Sequence, residues 1–167
     1  SYLATKHAWQ QMLAQGEGGR IIMTSSTSGL IGNFGQANYG AAKAGVAGFM
    51  RVLALEGMKY GITVNVLAPA ALSRMTEDLM PDSEEVAVRM APEKVSPTVA
   101  WLCTDAASNV TGRQFCVCVN RTTLLYWQYE VLAERDAAEG PWSVEAVGEQ
   151  IEASMDSWPK LLKPMEV

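Results

Sequence analysis

Histidine, cysteine and basic clusters are scarce in this chain of 167 residues. Its one His and three Cys provide neither an even set for paired disulfides nor a C-x-x-C motif, which suits a reducing compartment. Asp and Glu number 18 against 13 Lys and Arg, and no basic run or basic-aromatic stripe is present. This balance argues against nucleic acid as a partner.

Long hydrophobic runs are also missing. The apolar runs are far shorter than the roughly 20 residues that a membrane-spanning helix needs, and no charged-then-apolar leader opens the chain. Cys116 and Cys118 would lie on one face of a strand, an arrangement that fits either a thiolate metal site or two small buried thiols. No further ligand lies nearby in the sequence, which favours buried thiols and no metal. We expect a soluble, cytoplasmic protein without a membrane partner.

Hydrophobic residues make up 49% of the chain, enough for one buried core. Periodicity and glycine or proline stops predict helices over residues 1–15, 36–60 and 96–103, and a helical segment broken by Pro81 over residues 75–89. Short β-branched or apolar runs predict strands at residues 20–25, 62–68 and 115–119. Two further helices are predicted over residues 124–138 and 143–158. Alternating helices and strands indicate an α/β fold with a parallel sheet.

Three polar residues are predicted to meet at one strand end. Tyr39 and Lys43 are four positions apart and therefore share a helix face. An ammonium next to a phenol favours the ionised phenolate by charge attraction, and a phenolate can act as a general base. Ser26 follows the strand before that helix, where its hydroxyl can hold a substrate oxygen. The carboxyl ends of strands in open α/β sheets are where ligands bind, so we expect an active site there.

Several motifs around these residues carry a family resemblance. They are Ser26-x-x-Gly29, Gly35-Gln36-Ala37-Asn38-Tyr39, Ala42-Lys43-Ala44-Gly45 and Val64-Asn65-x-x-Ala68-Pro69. With these motifs the chain resembles the classical short-chain dehydrogenase/reductase family, whose serine, tyrosine and lysine fall on Ser26, Tyr39 and Lys43. The resemblance implies the carboxyl-terminal part of a doubly wound parallel-sheet Rossmann fold, covering residues 1–123, with a helical extension over residues 124–167.

A narrower resemblance rests on Met23-Thr24-Ser25-Ser26, Gly32-Asn33-Phe34-Gly35, Ser73-Arg74-Met75-Thr76 and Pro92-Glu93-x-Val95. From residue 1 to about Trp127 the chain is similar to the (3R)-hydroxyacyl-CoA dehydrogenase domain of multifunctional β-oxidation enzymes. This similarity implies oxidation of a 3-hydroxyacyl-CoA-type substrate with NAD, with NADP as the alternative cofactor, and a peroxisomal location if the source is a eukaryote. It assigns the catalytic roles to Ser26, Tyr39 and Lys43, and contact with the cofactor to Tyr39, Lys43, Pro69, Leu72 and Ser73.

The chain also departs from the family. It has no glycine-rich strand-to-helix turn for the cofactor pyrophosphate, no acidic ribose-binding residue and no catalytic asparagine before Ser1. Pro69-Ala70 replaces the usual Pro-Gly, and Cys118 and Asn120 replace glycines after the last strand. We therefore expect this chain to be inactive by itself. Family members dimerise through two long helices, which implies a homodimer or tetramer through helices 1–15 and 36–60.

Two other functions stay open. The chain can be a truncated, non-catalytic fragment that only associates with a full-length relative, since an unpaired sheet edge is a template for association. It can also be a sibling dehydrogenase with a steroid, a sugar or a carrier-bound ketoacyl group as its substrate. The segment over residues 75–89 would decide the substrate, and such segments are hard to interpret from sequence.

Overall fold

The computed structural model describes residues 1–74, 76, 81 and 83–162. Helices and strands alternate in the first part of the chain, as the sequence predicts. The elements are α1 (Tyr2–Gln15), β1 (Gly19–Thr24), α2 (Thr27–Leu30), α3 (Ala37–Gly57), β2 (Ile62–Ala70), α4 (Glu84–Arg89), α5 (Ser96–Leu102), β3 (Gln114–Cys118), β4 (Arg121–Leu125) and α6 (Val144–Ser154). Short 3-10 turns follow α3 (Met58–Tyr60), precede α5 (Pro92–Lys94), follow α5 (Asp105–Ala107) and follow α6 (Met155–Ser157).

The four strands form one sheet in the order β1-β2-β3-β4. β1, β2 and β3 are parallel, with Met23 opposite Val66 and Leu67 opposite Phe115. β2 is buried from Ile62 to Ala68, as expected for a strand with neighbours on both sides. β1 is the edge strand, so its outer hydrogen-bonding groups pair with no other strand in the part of the chain that the structure describes.

The core lies between α3 and the first two strands. Residues of α3 at helical spacing (Met50, Leu53, Ala54) pack against β1 and β2, whose contributions are Ile21, Met23, Ile62, Val64 and Val66. Burying these apolar side chains provides most of the driving force for this unit. The packing holds the amino-terminal half of α3 above the carboxyl end of β1.

β2 is longer than predicted. The sequence places its end before Pro69, because proline lacks the N–H that a central strand needs, whereas the strand continues to Ala70. β1 already ends at Thr24, opposite Leu67. At Pro69 the only neighbour is therefore β3, where Pro69 lies opposite Val117, and no second ladder is interrupted.

The predicted helix over residues 124–138 is wrong. Residues 121–125 form β4, antiparallel to β3, and residues 126–136 have no regular structure. Thr122, Thr123 and Tyr126 favour strands over helices, and the edge of β3 offers them a hydrogen-bonding partner. The helix predicted over residues 143–158 is confirmed as α6 and its following 3-10 turn. The helical segment predicted over residues 75–89 lies partly outside the described residues, and α4 accounts for the rest.

The described chain divides into two compact units, one containing Ser1–Tyr126 and the other comprising Trp127–Leu162. The domain boundary predicted between residues 123 and 124 falls inside β4. The assignment of a dehydrogenase domain and an extension stays a prediction. No helix of the described residues is long and apolar enough to cross a bilayer.

Candidate active site

Ser26 lies between the end of β1 and the start of α2. Its extended backbone and side chain cap α2, with the Ser26 Oγ accepting the Ser28 N–H at 3.2 Å. The Ser26 carbonyl also accepts the N–H groups of Gly29 and Leu30. A hydroxyl that caps a short helix is held in one place, and it remains able to donate its own proton.

Tyr39 and Lys43 lie on the first turns of α3. The Tyr39 side chain is 38% exposed, so its phenol can reach a ligand in solvent. The Lys43 Nζ lies 5.7 Å from the centre of the Tyr39 ring and donates to the Thr24 carbonyl at 3.1 Å. The ammonium is thus positioned between the end of β1 and the tyrosine, where it can stabilise negative charge on a nearby oxygen.

Ser25 connects the same two elements from the buried side. Its Oγ donates to the Lys43 carbonyl at 2.8 Å, while the Lys43 Nζ donates back to the neighbouring Thr24 carbonyl. These reciprocal bonds join the last residues of β1 to the second turn of α3. These two bonds fix the position of Lys43 on α3 relative to Ser26 at the end of β1.

The loop that carries Ser26 packs directly on α3. A Cβ on Gly29 would lie 2.5 Å from the Ala44 nitrogen and 2.6 Å from the Lys43 carbonyl carbon, so only glycine allows this approach. The Ser28 Oγ donates to the Gln36 Oε1 at 2.6 Å and closes the loop onto the start of α3. Gly29 and Gln36, which both belong to the sequence motifs, therefore have structural roles in this fold.

The predicted cofactor contacts follow β2. Pro69 is the second-last residue of that strand. Beyond it, the Leu72 N–H donates to the Met90 carbonyl at 2.7 Å. The Ser73 N–H donates to the Thr76 Oγ1 at 2.9 Å, and Thr76 in turn donates to the Ala71 carbonyl at 3.1 Å. β1 and β2 are adjacent and parallel, so these residues and Ser26 share the carboxyl edge of the sheet.

Sequence reasoning gave no role to Ser25, Gln36 or Thr76, although all three hold the site together. Ser25 is 2% exposed, and no sequence signal separates it from the neighbouring Ser26. Thr76 stands within the quoted Ser73-to-Thr76 motif, and a hydroxyl three residues after a backbone donor is the pattern of a side-chain-capped turn. That spacing could have revealed its role.

A separate cavity of about 340 Å³ lies between α2 and α3, lined by residues such as Ser28, Gly40 and Ala44. Gly40 and Ala44 are on a different face of α3 from Tyr39 and Lys43. This cavity is therefore not the place where the three predicted catalytic side chains meet.

Cys116 and Cys118 are buried in β3. Burial raises the pKa of Cys116 to about 11, so its thiol stays protonated at neutral pH. Burial also raises the pKa of Cys118, with Arg121 and Arg89 acting in the opposite direction. Within the described residues, no group of three or more His, Cys, Asp or Glu side chains is arranged to hold a metal ion.

The parallel order of β1, β2 and β3, with α3 packed on the first two strands and polar side chains at their carboxyl ends, is that of a Rossmann-type α/β fold. A crystal structure of a short chain dehydrogenase from Mycobacterium avium matches 92% of this chain and 51% of its own chain, with a TM-score of 0.70 and 36% identity. The full-length peroxisomal multifunctional enzyme type 2 of Drosophila melanogaster matches 87% of this chain and 26% of its own, with a TM-score of 0.68 and 34% identity.

Sequence comparison gives the family. The profile described as short chain dehydrogenase matches residues 1–85. Peroxisomal multifunctional enzyme type 2 of Mus musculus is 41% identical over 161 residues, 96% of this chain and 20% of that protein. A short-chain type dehydrogenase/reductase of Mycobacterium tuberculosis is 49% identical over 108 residues, 65% of this chain and 37% of that protein.

The chain belongs to the short-chain dehydrogenase family. It resembles peroxisomal multifunctional enzyme type 2 of Mus musculus along almost its whole length. It spans between 20% and 51% of the lengths of the four relatives named above.

Proposed function

We propose that these residues supply the proton-transfer side of an oxidoreductase that moves a hydride between the 3-hydroxyl carbon of an acyl-CoA-type substrate and a nicotinamide cofactor. The observation that carries the proposal is the placement of Tyr39 and Lys43 on α3 beside Ser26 at the end of β1. The peroxisomal multifunctional enzymes among the relatives support the acyl-CoA substrate and, for a eukaryotic source, a peroxisomal compartment.

Each residue has a distinct role in this mechanism. Tyr39, as the phenolate, takes the proton from the substrate hydroxyl, and Ser26 donates a hydrogen bond that orients the substrate oxygen. Lys43 would stabilise the phenolate through its positive charge and would bond the ribose of a bound nicotinamide cofactor. When bound, NAD or NADP would supply the hydride acceptor.

The residues present fit only the nicotinamide end of such a cofactor. Lys43 already directs its ammonium to the carboxyl edge of the sheet, and the segment from Pro69 to Ser73 ends on that edge. None of the described strands runs through a glycine-rich turn into a long helix: β1 leads to the four-residue α2 through Ser25 and Ser26. The described residues therefore contain no such turn to bind the pyrophosphate.

Replacing Tyr39 with Phe tests the proposal. The natural polypeptide that contains these residues, at its full length, is incubated with 3-hydroxyacyl-CoA and NAD or NADP, and the reduced cofactor is measured by absorbance. Tyr39→Phe removes the proton acceptor while keeping the ring, so we expect kcat to fall by about 10²-fold or more.

Tyr60→Phe is the matched control. Tyr60 lies in the 3-10 turn after α3, at the opposite end of that helix from Tyr39, and its replacement should leave kcat unchanged. Wild-type protein that turns over neither NAD nor NADP would overturn the proposal. Equal rates for Tyr39→Phe and wild type would overturn the role of Tyr39.

Two alternatives are a dehydrogenase for a carrier-bound ketoacyl substrate and a non-catalytic fragment that associates with a relative. A 3-oxoacyl-[acyl-carrier-protein] reductase of Synechocystis is 43% identical over 122 residues, which favours a carrier-bound ketoacyl substrate. Comparing CoA and acyl-carrier thioesters in the same assay separates the two substrates. The unpaired outer edge of β1 supports the associating fragment, for which neither thioester would react.

A further inference from the structure

Two consecutive serines follow β1, and their side chains have different partners. Ser26 caps α2 beside the place proposed for the substrate oxygen. Ser25 is 2% exposed, so it has almost no surface to offer a substrate. We propose that Ser25 is a positioning residue for the reaction and that its hydroxyl acts through Lys43. This inference rests on the proposed dehydrogenase function and extends it to a residue behind the reacting groups.

Lys43 is held at both of its ends by two neighbouring residues. The Ser25 Oγ donates to the main-chain carbonyl of Lys43 at 2.8 Å, and the Lys43 Nζ donates to the Thr24 carbonyl at 3.1 Å. A lysine ammonium lies on a long, flexible stem, so a bond to the ammonium alone leaves the other end of the side chain free to shift. The Ser25 bond removes that freedom. The ammonium is thereby held 5.7 Å from the centre of the Tyr39 ring.

Ser25 is itself fixed to the centre of the sheet. Its N–H donates to the Leu67 carbonyl at 2.7 Å. Leu67 is buried in β2, which has a neighbouring strand on each side. The hydroxyl of Ser25 therefore connects the second turn of α3 to the rigid middle of the sheet, and it does so directly under Lys43.

The Ser25 bond is not required for α3 to be helical. The Lys43 carbonyl lies inside a helix of 21 residues, where the Ala47 N–H, four positions later, is its regular helical partner. The Ser25 hydroxyl is an additional donor to a carbonyl that the helix already satisfies. Its loss should therefore leave the helix in place and change where Lys43 lies.

Ser25→Ala tests the proposal in the natural polypeptide at its full length, with the 3-hydroxyacyl-CoA assay used for Tyr39→Phe. We expect kcat to fall about tenfold and KM for the cofactor to rise, because the proton transfer and the ribose contact both depend on the position of Lys43. Thr63→Val is the matched control. It removes another buried hydroxyl at the amino-terminal end of β2, away from the site, and should leave both constants unchanged.

A double-mutant cycle tests whether Ser25 acts through Lys43. In a Lys43→Ala background no ammonium remains to be positioned, so adding Ser25→Ala should cause no further loss of kcat. A merely structural role would lower kcat about tenfold again, because it would also displace the rest of the site. The dissociation constant of NAD, measured by tryptophan fluorescence in the same four proteins, gives a second comparison that does not depend on turnover.

The outcomes separate this inference from the proposed function. An active wild type with an equally active Ser25→Ala variant would overturn the role of Ser25 and leave the proposed function standing. The same holds for a Ser25→Ala loss that persists in full in the Lys43→Ala background, in turnover or in NAD binding. Wild-type protein that turns over neither NAD nor NADP would overturn the proposed function and this inference with it.

Discussion

Val119 adopts a backbone conformation that valine avoids. It is the first of two residues joining β3 to β4, and its φ is +56°, the only positive φ of a non-glycine residue in the described part of the chain. A two-residue hairpin with positive φ at its first position alone is the pattern that favours glycine there. A β-branched side chain in this region costs about 1–3 kcal/mol.

We therefore expect Val119→Gly to stabilise the protein. The relief of backbone strain exceeds the entropy that glycine adds to the unfolded chain, giving a net gain of about 1 kcal/mol and a rise in Tm of about 2–4 °C. Thermal unfolding followed by circular dichroism measures the change. Val119→Ala keeps a Cβ and should recover little of this gain. A Tm for Val119→Gly at or below that of the wild type would contradict the inference that Val119 strains the backbone.

The placement of Ser26 after β1 and of Tyr39 and Lys43 on α3 could be predicted because it depends on local spacing, while their catalytic roles stay a prediction. Ser25 could not, since its bond to the Lys43 carbonyl depends on how closely α3 approaches β1. That approach depends on Gly29, whose missing Cβ leaves room for the Ala44 nitrogen. Side chains that position a site through tertiary contacts leave no pattern in one sequence.

At the scale of elements, Asn65 joins β2 to the loop before β3. It is buried in the middle of β2, its Nδ2 donates to the Val110 carbonyl at 2.7 Å, and its Oδ1 accepts the Arg113 N–H at 3.0 Å. Both functions of the amide are thus used to satisfy backbone groups of one loop. The Val64-Asn65 motif has this structural basis, whichever reaction the protein performs.

Asn65→Leu should destabilise the protein by about 2–4 kcal/mol. Leucine fits the volume but leaves a backbone carbonyl and a backbone N–H without partners, at about 1–3 kcal/mol each. Urea unfolding measures the loss. Asn109→Leu, at an exposed position in the same loop, should change stability by less than about 0.5 kcal/mol. Similar losses for the Asn65 and Asn109 leucine variants would contradict this role.

The element that sequence reasoning missed is β4. The sequence predicts a helix over residues 124–138, ahead of the Glu139-Gly140-Pro141 break, but the free edge of β3 lies next to the start of this segment once β3 has formed. Pairing with that edge gives hydrogen-bonding partners to the backbone groups that β4, from Arg121 to Leu125, directs toward β3. Competition between local periodicity and a tertiary partner is decided by the fold, so the sequence alone could not resolve it.

At the scale of the whole molecule, the long helices α1 and α3 both expose large apolar side chains to solvent. Leu3 on α1 and Leu55 on α3 are each 69% exposed, and Val52, one turn before Leu55, is 54% exposed. Exposed apolar residues on two long helices are typical of an interface between chains. We propose that they form the interface of the homodimer or tetramer that the family resemblance implies.

Leu55→Glu tests this interface. A carboxylate in the centre of an apolar contact loses its hydration without gaining a partner, so dimerisation should weaken by about tenfold or more. Light scattering after size-exclusion chromatography measures the mass of the particle over a range of concentrations. Val131→Glu makes the same substitution at a similarly exposed residue of the other unit and should leave the mass unchanged. Because Leu55 faces solvent within one chain, the variant should fold normally. A wild-type protein that is monomeric at all concentrations would exclude the interface, and a dimer unaffected by Leu55→Glu would place it elsewhere.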